Sequence, residues 1–419
     1  MDKFVIEGGT PLRGSVTVSG AKNAALPIMA ASILSEEPTV IHRVPRLRDT
    51  ETMARILTHL GAKVTFTNNT VVIDPSSLTR WTAPYELVST MRASICLLGP
   101  LVARCGKVRF SMPGGCVIGP RPIDLHLKGL SRLGVAIDIE EGYIVGSSRN
   151  LKGVPVFLGG AFGSSVLATA NILTAATLAR GNTLIEFAAC EPEIVDLAMF
   201  LRSMGAKVTG EGSHLIQVRG VKKLHGTEYT LMPDRIETGT YLLAAAATGG
   251  CIRVNQCRPE HLFSLLDKLE EAGLEVTRGK NWIALKGKKS WKALDIVTWP
   301  YPGFPTDLQA QMMAFLTLAE GVSSITEKVY PDRFIHVGEL NRLGASISLD
   351  GPKALVRGVK KLHGTRVMAS DLRASAALVI AGLAAEGETE VSRIYHLDRG
   401  YERFEEKLST LQARIRRVH

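Results

Sequence analysis

Apolar and polar positions recur along this chain in two patterns. In the first, a stretch with the apolar spacing of an amphipathic helix ends in Leu-Gly-Ala or a near variant, and a short run with β-branched residues at every second position follows. The pattern occupies 56–65, 129–138, 200–209, 268–277 and 339–348, and a sixth copy at 407–416 has Gln412 where the others have glycine. The shared glycines, Gly61, Gly134, Gly205, Gly273 and Gly344, stand about 70 residues apart, longer than a solenoid period. A glycine just after the last apolar helical residue is the position at which a helix stops in the left-handed region. Each copy therefore predicts helix, stop and strand: one small αβ subdomain.

In the second pattern a polar start leads into an Ala-rich, nearly all-apolar run, at 22–34, 92–103, 169–179, 238–247, 309–319 and 373–385. A helix apolar all round must be buried on every side. Small residues let several such helices approach one axis. The nonapeptide Arg219-Gly-Val-Lys-Lys-Leu-His-Gly-Thr227 recurs identically from Arg357 to Thr365, a mark of internal duplication. Six units in two sets of three give two similar domains, with helices inside and sheets around them.

Composition narrows the class. The chain has 419 residues, too many for one ordinary core, and is 45% hydrophobic and 21% charged. Its longest small apolar run, Ala374 to Ala385, falls short of the ~18 residues that span a bilayer. Met1-Asp-Lys-Phe-Val-Ile-Glu7 has no signal-peptide core, so a cytoplasmic protein without membrane insertion is expected. Cys96, Cys105, Cys116, Cys190, Cys251 and Cys257 include no C-x-x-C pair. That fits a reduced compartment, and neither a metal nor another cofactor is expected. All but Cys116 read as small core residues. Fifty Lys and Arg against 40 Asp and Glu give +10 and imply an anionic partner. The cations are spread along the chain and aromatics are only 6%, which argues against a nucleic-acid platform. A small polyanion, such as a phosphorylated substrate, is favoured.

One stretch reads as a shaped loop: Ser111-Met-Pro-Gly-Gly-Cys-Val-Ile-Gly-Pro-Arg-Pro-Ile-Asp-Leu-His126. Gly114-Gly115 permits positive φ before Cys116, and Pro120 and Pro122 fix φ on either side of Arg121. A thiol on such a loop, five residues from a guanidinium, has what a reactive cysteine needs; an incidental surface turn is the plainer alternative. Cations also mark the starts of the buried helices at Lys22, Arg92 and Arg373. Helix N-termini collect anions, and if the two domains face each other there, the cleft between them is positive. For any single cation, solvation or pairing with a carboxylate is the simpler expectation.

The Pro-Gly-Gly-Cys loop closely resembles that of the UDP-N-acetylglucosamine enolpyruvyltransferases (1-carboxyvinyltransferases) of peptidoglycan synthesis. So do Gly20-Ala-Lys-Asn-Ala24, Thr90-Met-Arg-Ala-Ser94, Pro233-Asp-Arg-Ile-Glu-Thr-Gly239, Phe304-Pro-Thr-Asp-Leu-Gln-Ala310, Asp371-Leu-Arg-Ala-Ser375 and Asp398-Arg-Gly-Tyr-Glu402. The resemblance runs nearly end to end. It implies an α/β fold of two inside-out, barrel-like domains, each of three repeated αβ subdomains. One domain would comprise 22–230, and the other 231–419 together with 1–21.

It further implies transfer of the enolpyruvyl group of phosphoenolpyruvate to the 3′-hydroxyl of UDP-N-acetylglucosamine, with release of phosphate. Cys116 matches the family's general acid and nucleophile. Lys22, Arg121 and Arg399 match the residues that hold phosphoenolpyruvate, with Arg92 close by. Asp307 matches the base for the sugar hydroxyl; alternatively, it opens a helix at Pro305-Thr306-Asp307, where an acid complements the dipole and its pKa is lowered. Asn23, Pro122, Ile123, Asp124, Leu125, Ser165, Val166 and Val329 fall where the family grips the nucleotide sugar, with Leu167 in place of a family glycine. Arg333, Asp371 and Arg373 are expected at the cleft, with ion pairing the alternative for the two arginines, and His126 reads as structural. The shikimate 3-phosphate enolpyruvyltransferases share the repeats but lack the Cys loop. A basic nucleic-acid-binding repeat protein would leave Cys116 and Asp307 without a role.

Overall fold

A computed structural model of the chain describes residues 2–112 and 122–419. The first pattern forms the helices Arg48–Leu60, Asp124–Arg132, Pro192–Ser203, Phe263–Glu271, Val337–Arg342 and Phe404–Thr410. The five glycines that stop them have φ between 93° and 108°, beyond the left-handed well open to other residues. Gln412 takes the same place at φ 68°, inside that well, which is why the sixth copy manages without glycine.

Among the described residues, six four-stranded sheets repeat one arrangement. A short edge strand runs parallel to a second strand, which pairs antiparallel with a third, and in five of the sheets the third and fourth strands form a hairpin. Thus Asp295–Val297 lies beside Val322–Thr326, and Lys353–Arg357 and Ser346–Asp350 complete that sheet. Arg219 and Arg357, which open the two copies of the nonapeptide, end the equivalent strands Leu215–Arg219 and Lys353–Arg357. One sheet draws on both ends of the chain: Lys3–Glu7 is inserted between Glu388–Ser392 and Arg414–Val418. Arg13–Thr17 pairs parallel with Cys251–Asn255.

The described residues form two compact units, 20–112 with 122–232 and 2–19 with 233–419, each with its own core. At the centre of the first lie the helices Lys22–Ala31, Leu98–Cys105 and Val166–Ala176; at the centre of the second lie Arg235–Ala247, Gln309–Leu316 and Leu372–Ala384. Small residues set the spacing. A Cβ added to Gly99 would stand 2.2 Å from the Asn171 carbonyl oxygen of the neighbouring helix. The expectation of six αβ repeats with buried apolar helices holds.

Two local expectations do not. The run at 92–103 opens as a 3-10 turn, Arg92–Leu97, before the α-helix Leu98–Cys105. Pro100 has no N–H to bond four residues back, so it suits the first turn of a helix and not its middle. Of the cysteines read as core, Cys96, Cys190 and Cys257 are buried, Cys105 is half-buried and Cys251 is exposed. Cys251 lies on the outward face of the strand Cys251–Asn255. No described helix is long and apolar enough to cross a membrane.

Candidate active site

In the unit built from 20–112 and 122–232, Lys22 is the first residue of its helix, after an extended Ala21 that supplies no side-chain cap. Lys22 is only 8% exposed, and its Nζ lies 2.7 Å from Oδ2 of Asp49, also buried. Asp49 sits in the first turn of Arg48–Leu60, where an acid also complements the helix dipole. The cation expected to hold an anion thus has a carboxylate partner already. Asn23 beside it is half-buried.

Arg92, half-buried, begins the turn that packs against the Lys22 helix. Burial, and then the Arg92 charge, push His126 down to about 3, so the imidazole is neutral. Its Nδ1 accepts from the Asn171 amide at 2.8 Å. The same amide nitrogen donates to the Ile95 carbonyl at 2.9 Å, and Asn171 Oδ1 accepts from the Gly99 N–H at 2.7 Å. Asn171 therefore ties together the turn carrying Arg92, the helix that starts at Asp124 and the helix capped by Ser165. Sequence reading passed over Asn171 as part of an apolar run. Its signal was a lone amide where every neighbour is apolar or a small hydroxyl.

Ser165 caps Val166–Ala176 by accepting from the Ala168 N–H at 3.3 Å, and Val166 and Leu167 are half-buried in the first turn. A hairpin of Gly159–Gly160 and Gly163–Ser164 precedes them and lies against Leu125: a Cβ on Gly160 would come within 3.1 Å of that leucine. Pro122 and Asp124 are exposed and Ile123 is half-buried. Cys116 and Arg121 lie outside the described residues.

In the other unit Asp307 sits in the 3-10 turn Thr306–Leu308 that leads into the helix Gln309–Leu316. Its Oδ1 accepts from Arg333 Nη1 at 2.9 Å and its Oδ2 from Arg373 Nη2 at 3.0 Å. The arginine side chains are 4% and 3% exposed and that of Asp307 is 26%. Burial alone would raise the Asp307 pKa, but Arg373 and Arg333 outweigh it and hold the carboxyl well below the usual range. Two guanidiniums, rather than the helix end named from the sequence, are the cause. A carboxylate held so low is a weak proton acceptor and a good hydrogen-bond acceptor.

Asp371 caps Leu372–Ala384, accepting from the N–H groups of Arg373 and Ala374 at 2.9 and 3.1 Å. The residue placed at the cleft by resemblance is thus also a helix cap that fixes the backbone of Arg373. Tyr401 is buried beside Arg373, whose guanidinium carbon lies 5.4 Å from the ring centroid. The Tyr401 hydroxyl meets Thr240 Oγ1 at 2.8 Å and Gln311 Nε2 at 3.2 Å. Gln311 Nε2 also donates to the Asp307 carbonyl at 2.9 Å. Arg399, half-buried, ends the turn Ile394–Arg399, where its neighbour Asp398 is gripped by Arg417 through contacts of 2.7 and 3.1 Å. Val329 is half-buried, and its N–H donates to the buried carboxylate of Glu327 at 2.9 Å.

One unit therefore gathers Lys22, Asn23 and Arg92 around neighbouring helix starts, and the other gathers Asp307, Arg333, Arg373 and Asp371. A cavity of about 610 Å³ on the sheet formed by 155–157, 182–186, 215–219 and 207–209 is lined by none of the candidate residues. Among the described residues no group of three His, Cys, Asp or Glu is arranged to hold a metal.

Repeated sheets around buried helix triplets, with cations and a clamped carboxylate at helix starts, define a class. The family model described as EPSP synthase (3-phosphoshikimate 1-carboxyvinyltransferase) matches residues 6–408, and the chain belongs to that family. Among its relatives the names are narrower. UDP-N-acetylglucosamine 1-carboxyvinyltransferase of Methylacidiphilum infernorum is 53% identical over 419 residues, covering 100% of this chain and 99% of the relative. The protein of the same name from Idiomarina loihiensis is 53% identical over 420 residues and fully covered on both sides. Among solved structures, the enolpyruvyl transferase NikO from Streptomyces tendae superposes with a TM-score of 0.90 at 27% identity, covering 100% of this chain and 99% of that one. An EPSP synthase from Acinetobacter baumannii, at 18% identity and a TM-score of 0.76 over both full chains, shares the fold.

Proposed function

We propose that this protein transfers the enolpyruvyl group of phosphoenolpyruvate to the 3′-hydroxyl of UDP-N-acetylglucosamine and releases phosphate, the first committed step of peptidoglycan synthesis. The hydroxyl oxygen adds to C2 of the enol phosphate while C3 takes a proton. Loss of a C3 proton and departure of phosphate then restore the vinyl group. Cys116 is the proposed acid, and Lys22, Arg92, Arg121 and Arg399 hold the phosphate and carboxylate. The intermediate concentrates negative charge, so several fixed cations are required. Asn23, Pro122, Ile123, Asp124, Leu125, Ser165, Val166 and Val329 hold the nucleotide sugar.

The observation that carries this reading is Asp307, a partly open carboxylate fixed by Arg333 and Arg373. Held ionised, it orients the acceptor hydroxyl and takes up its proton only as the oxygen adds to carbon. The relatives' shared name supplies the acceptor. Phosphate release from phosphoenolpyruvate tests the proposal. Release with UDP-N-acetylglucosamine and none with shikimate 3-phosphate supports it, and the reverse result overturns it. Residues of both units are assigned to one reaction, so small-angle scattering is expected to show compaction on adding the nucleotide sugar. An epoxide phosphonate such as fosfomycin is expected to label Cys116; labelling elsewhere, or none, removes the thiol from the mechanism.

A further inference from the structure

A side chain with no part in the proposed reaction holds Asp307 and Arg333 together. Glu327 follows the strand Val322–Thr326 and is fully buried. Its Oε1 accepts from Thr298 Oγ1 at 2.6 Å and from the N–H groups of Val329 and Tyr330 at 2.9 Å each. Its Oε2 accepts from Thr306 Oγ1 at 2.9 Å. Both hydroxyls have a second role. Thr298 Oγ1 accepts from the Lys328 N–H at 3.0 Å, and Thr306 Oγ1 accepts from Arg333 Nη1 at 2.9 Å. Each hydroxyl thus receives an N–H and turns its own hydrogen to Glu327, whose carboxyl group only accepts. Arg333 Nη1 is shared between Thr306 Oγ1 and Asp307 Oδ1, both at 2.9 Å.

We propose that Glu327 is a positioning residue. Through the Thr306 hydroxyl it fixes the guanidinium of Arg333 on Asp307, and through two backbone amides it sets the segment that carries Val329 and Arg333. Asp307 and Thr306 belong to one turn, and Arg333 arrives from another part of the chain. Without the Thr306 bridge, Arg333 Nη1 has one fixed acceptor instead of two, and Asp307 loses one of its two clamps against rotation. Errors of about 1 Å in the placement of a reacting group cost on the order of 100-fold in rate. The inference rests on the role proposed above for Asp307.

Glu327→Gln turns one acceptor oxygen into a donor. With its carbonyl kept towards Thr298 and the two amides, its NH2 faces Thr306 Oγ1, which already receives Arg333. Thr306→Val removes the bridge and leaves the other three bonds to Glu327. Each variant is expected to lower kcat about 10- to 100-fold with little change in KM for phosphoenolpyruvate. The double variant is expected to be no worse than the weaker single, because both break one link. Thr306→Ser keeps the hydroxyl and is expected to recover most of the loss.

A readout that simple loss of packing would not move is the titration of Asp307. Charged groups facing it include Arg333 and Arg373, with Asp371 and His336 beyond the first and Tyr401 and Asp234 beyond the second. Loosening Arg333 raises the Asp307 pKa, so the acidic limb of kcat moves to higher pH in both single variants. The carbon-13 signal of the Asp307 carboxyl in the ligand-free protein must show the same upward shift. If the wild type releases no phosphate, the proposed function fails, and the carboxyl titration still decides whether the clamp exists. An unmoved titration, additive losses in the double variant, or a full loss in Thr306→Ser overturns the proposal.

Discussion

The two units share a repeat but hold their buried charges differently. In one, Lys22 and Asp49 form an ion pair with side chains 10% and 5% exposed. In the other, Asp307 lies between two arginines and keeps 26% of its side chain open. That pair anchors one helix start to another. A carboxylate between two guanidiniums stays ionised and keeps part of its surface open as a hydrogen-bond acceptor. The repeat sets where helix starts fall, and the polar residues placed there decide what each start does.

The sharpest way to break the contrast is to remove each carboxylate. Asp307→Asn is expected to lower kcat by about 10²–10⁴-fold. It strands two buried arginines, so a loss of about 5 kcal/mol in urea unfolding is expected, the upper end for a broken buried pair. Asp49→Asn takes one carboxylate from Lys22 and is expected to cost about 3 kcal/mol. Equal losses would erase the distinction.

Acid probes both units. Asp307 has a folded pKa below its unfolded value of ~3.9, so its stabilisation is complete above that value and is lost as pH falls further towards the folded pKa. His126 is pushed down to about 3 and His336 to about 4, in both cases chiefly by burial. Unfolding lets each take a proton near pH 6.5, so stability is full above that and falls towards pH 4. His126→Asn and His336→Leu are each expected to remove up to about 1.4 kcal/mol per pH unit from the slope of stability between pH 6 and 4.5. A slope unchanged by both variants would remove the histidines from the acid response.

The smallest effect tests what the units share. Gly134→Ala puts a side chain at φ 93° and is expected to cost about 1 kcal/mol, while Gln412→Gly, at φ 68°, is expected to gain about 0.5 kcal/mol.

How far the sequence could be read follows from the range of each interaction. The glycine stops and the apolar helices depend on residues a turn or two apart, and the six-fold repeat was legible from them. Asp307, Arg333 and Arg373 were each picked out by resemblance, but their mutual clamp joins positions up to 66 residues apart and left no local trace. Glu327 and Asn171 were passed over for the same reason. The first reads as an acid at a strand end and the second as a polar interruption in a core helix. Lys22 was expected to face an anion, and Asp49, 27 residues on, had no pattern linking it to that lysine. The early 3-10 turn at Arg92 was foreshadowed by Pro100, once helix starts are weighed against helix middles.

The strand Lys3–Glu7, held between Glu388–Ser392 and Arg414–Val418, has a consequence for biogenesis. The strand is made long before its neighbours in the sheet: Lys3 and its ion-pair partner Glu390 stand 387 positions apart in the chain. Residues 20–112 with 122–232 carry a core of their own, so they can fold while synthesis continues. The unit bearing Asp307 can close only after Arg414–Val418 has been made, and until then Lys3–Glu7 keeps an exposed edge.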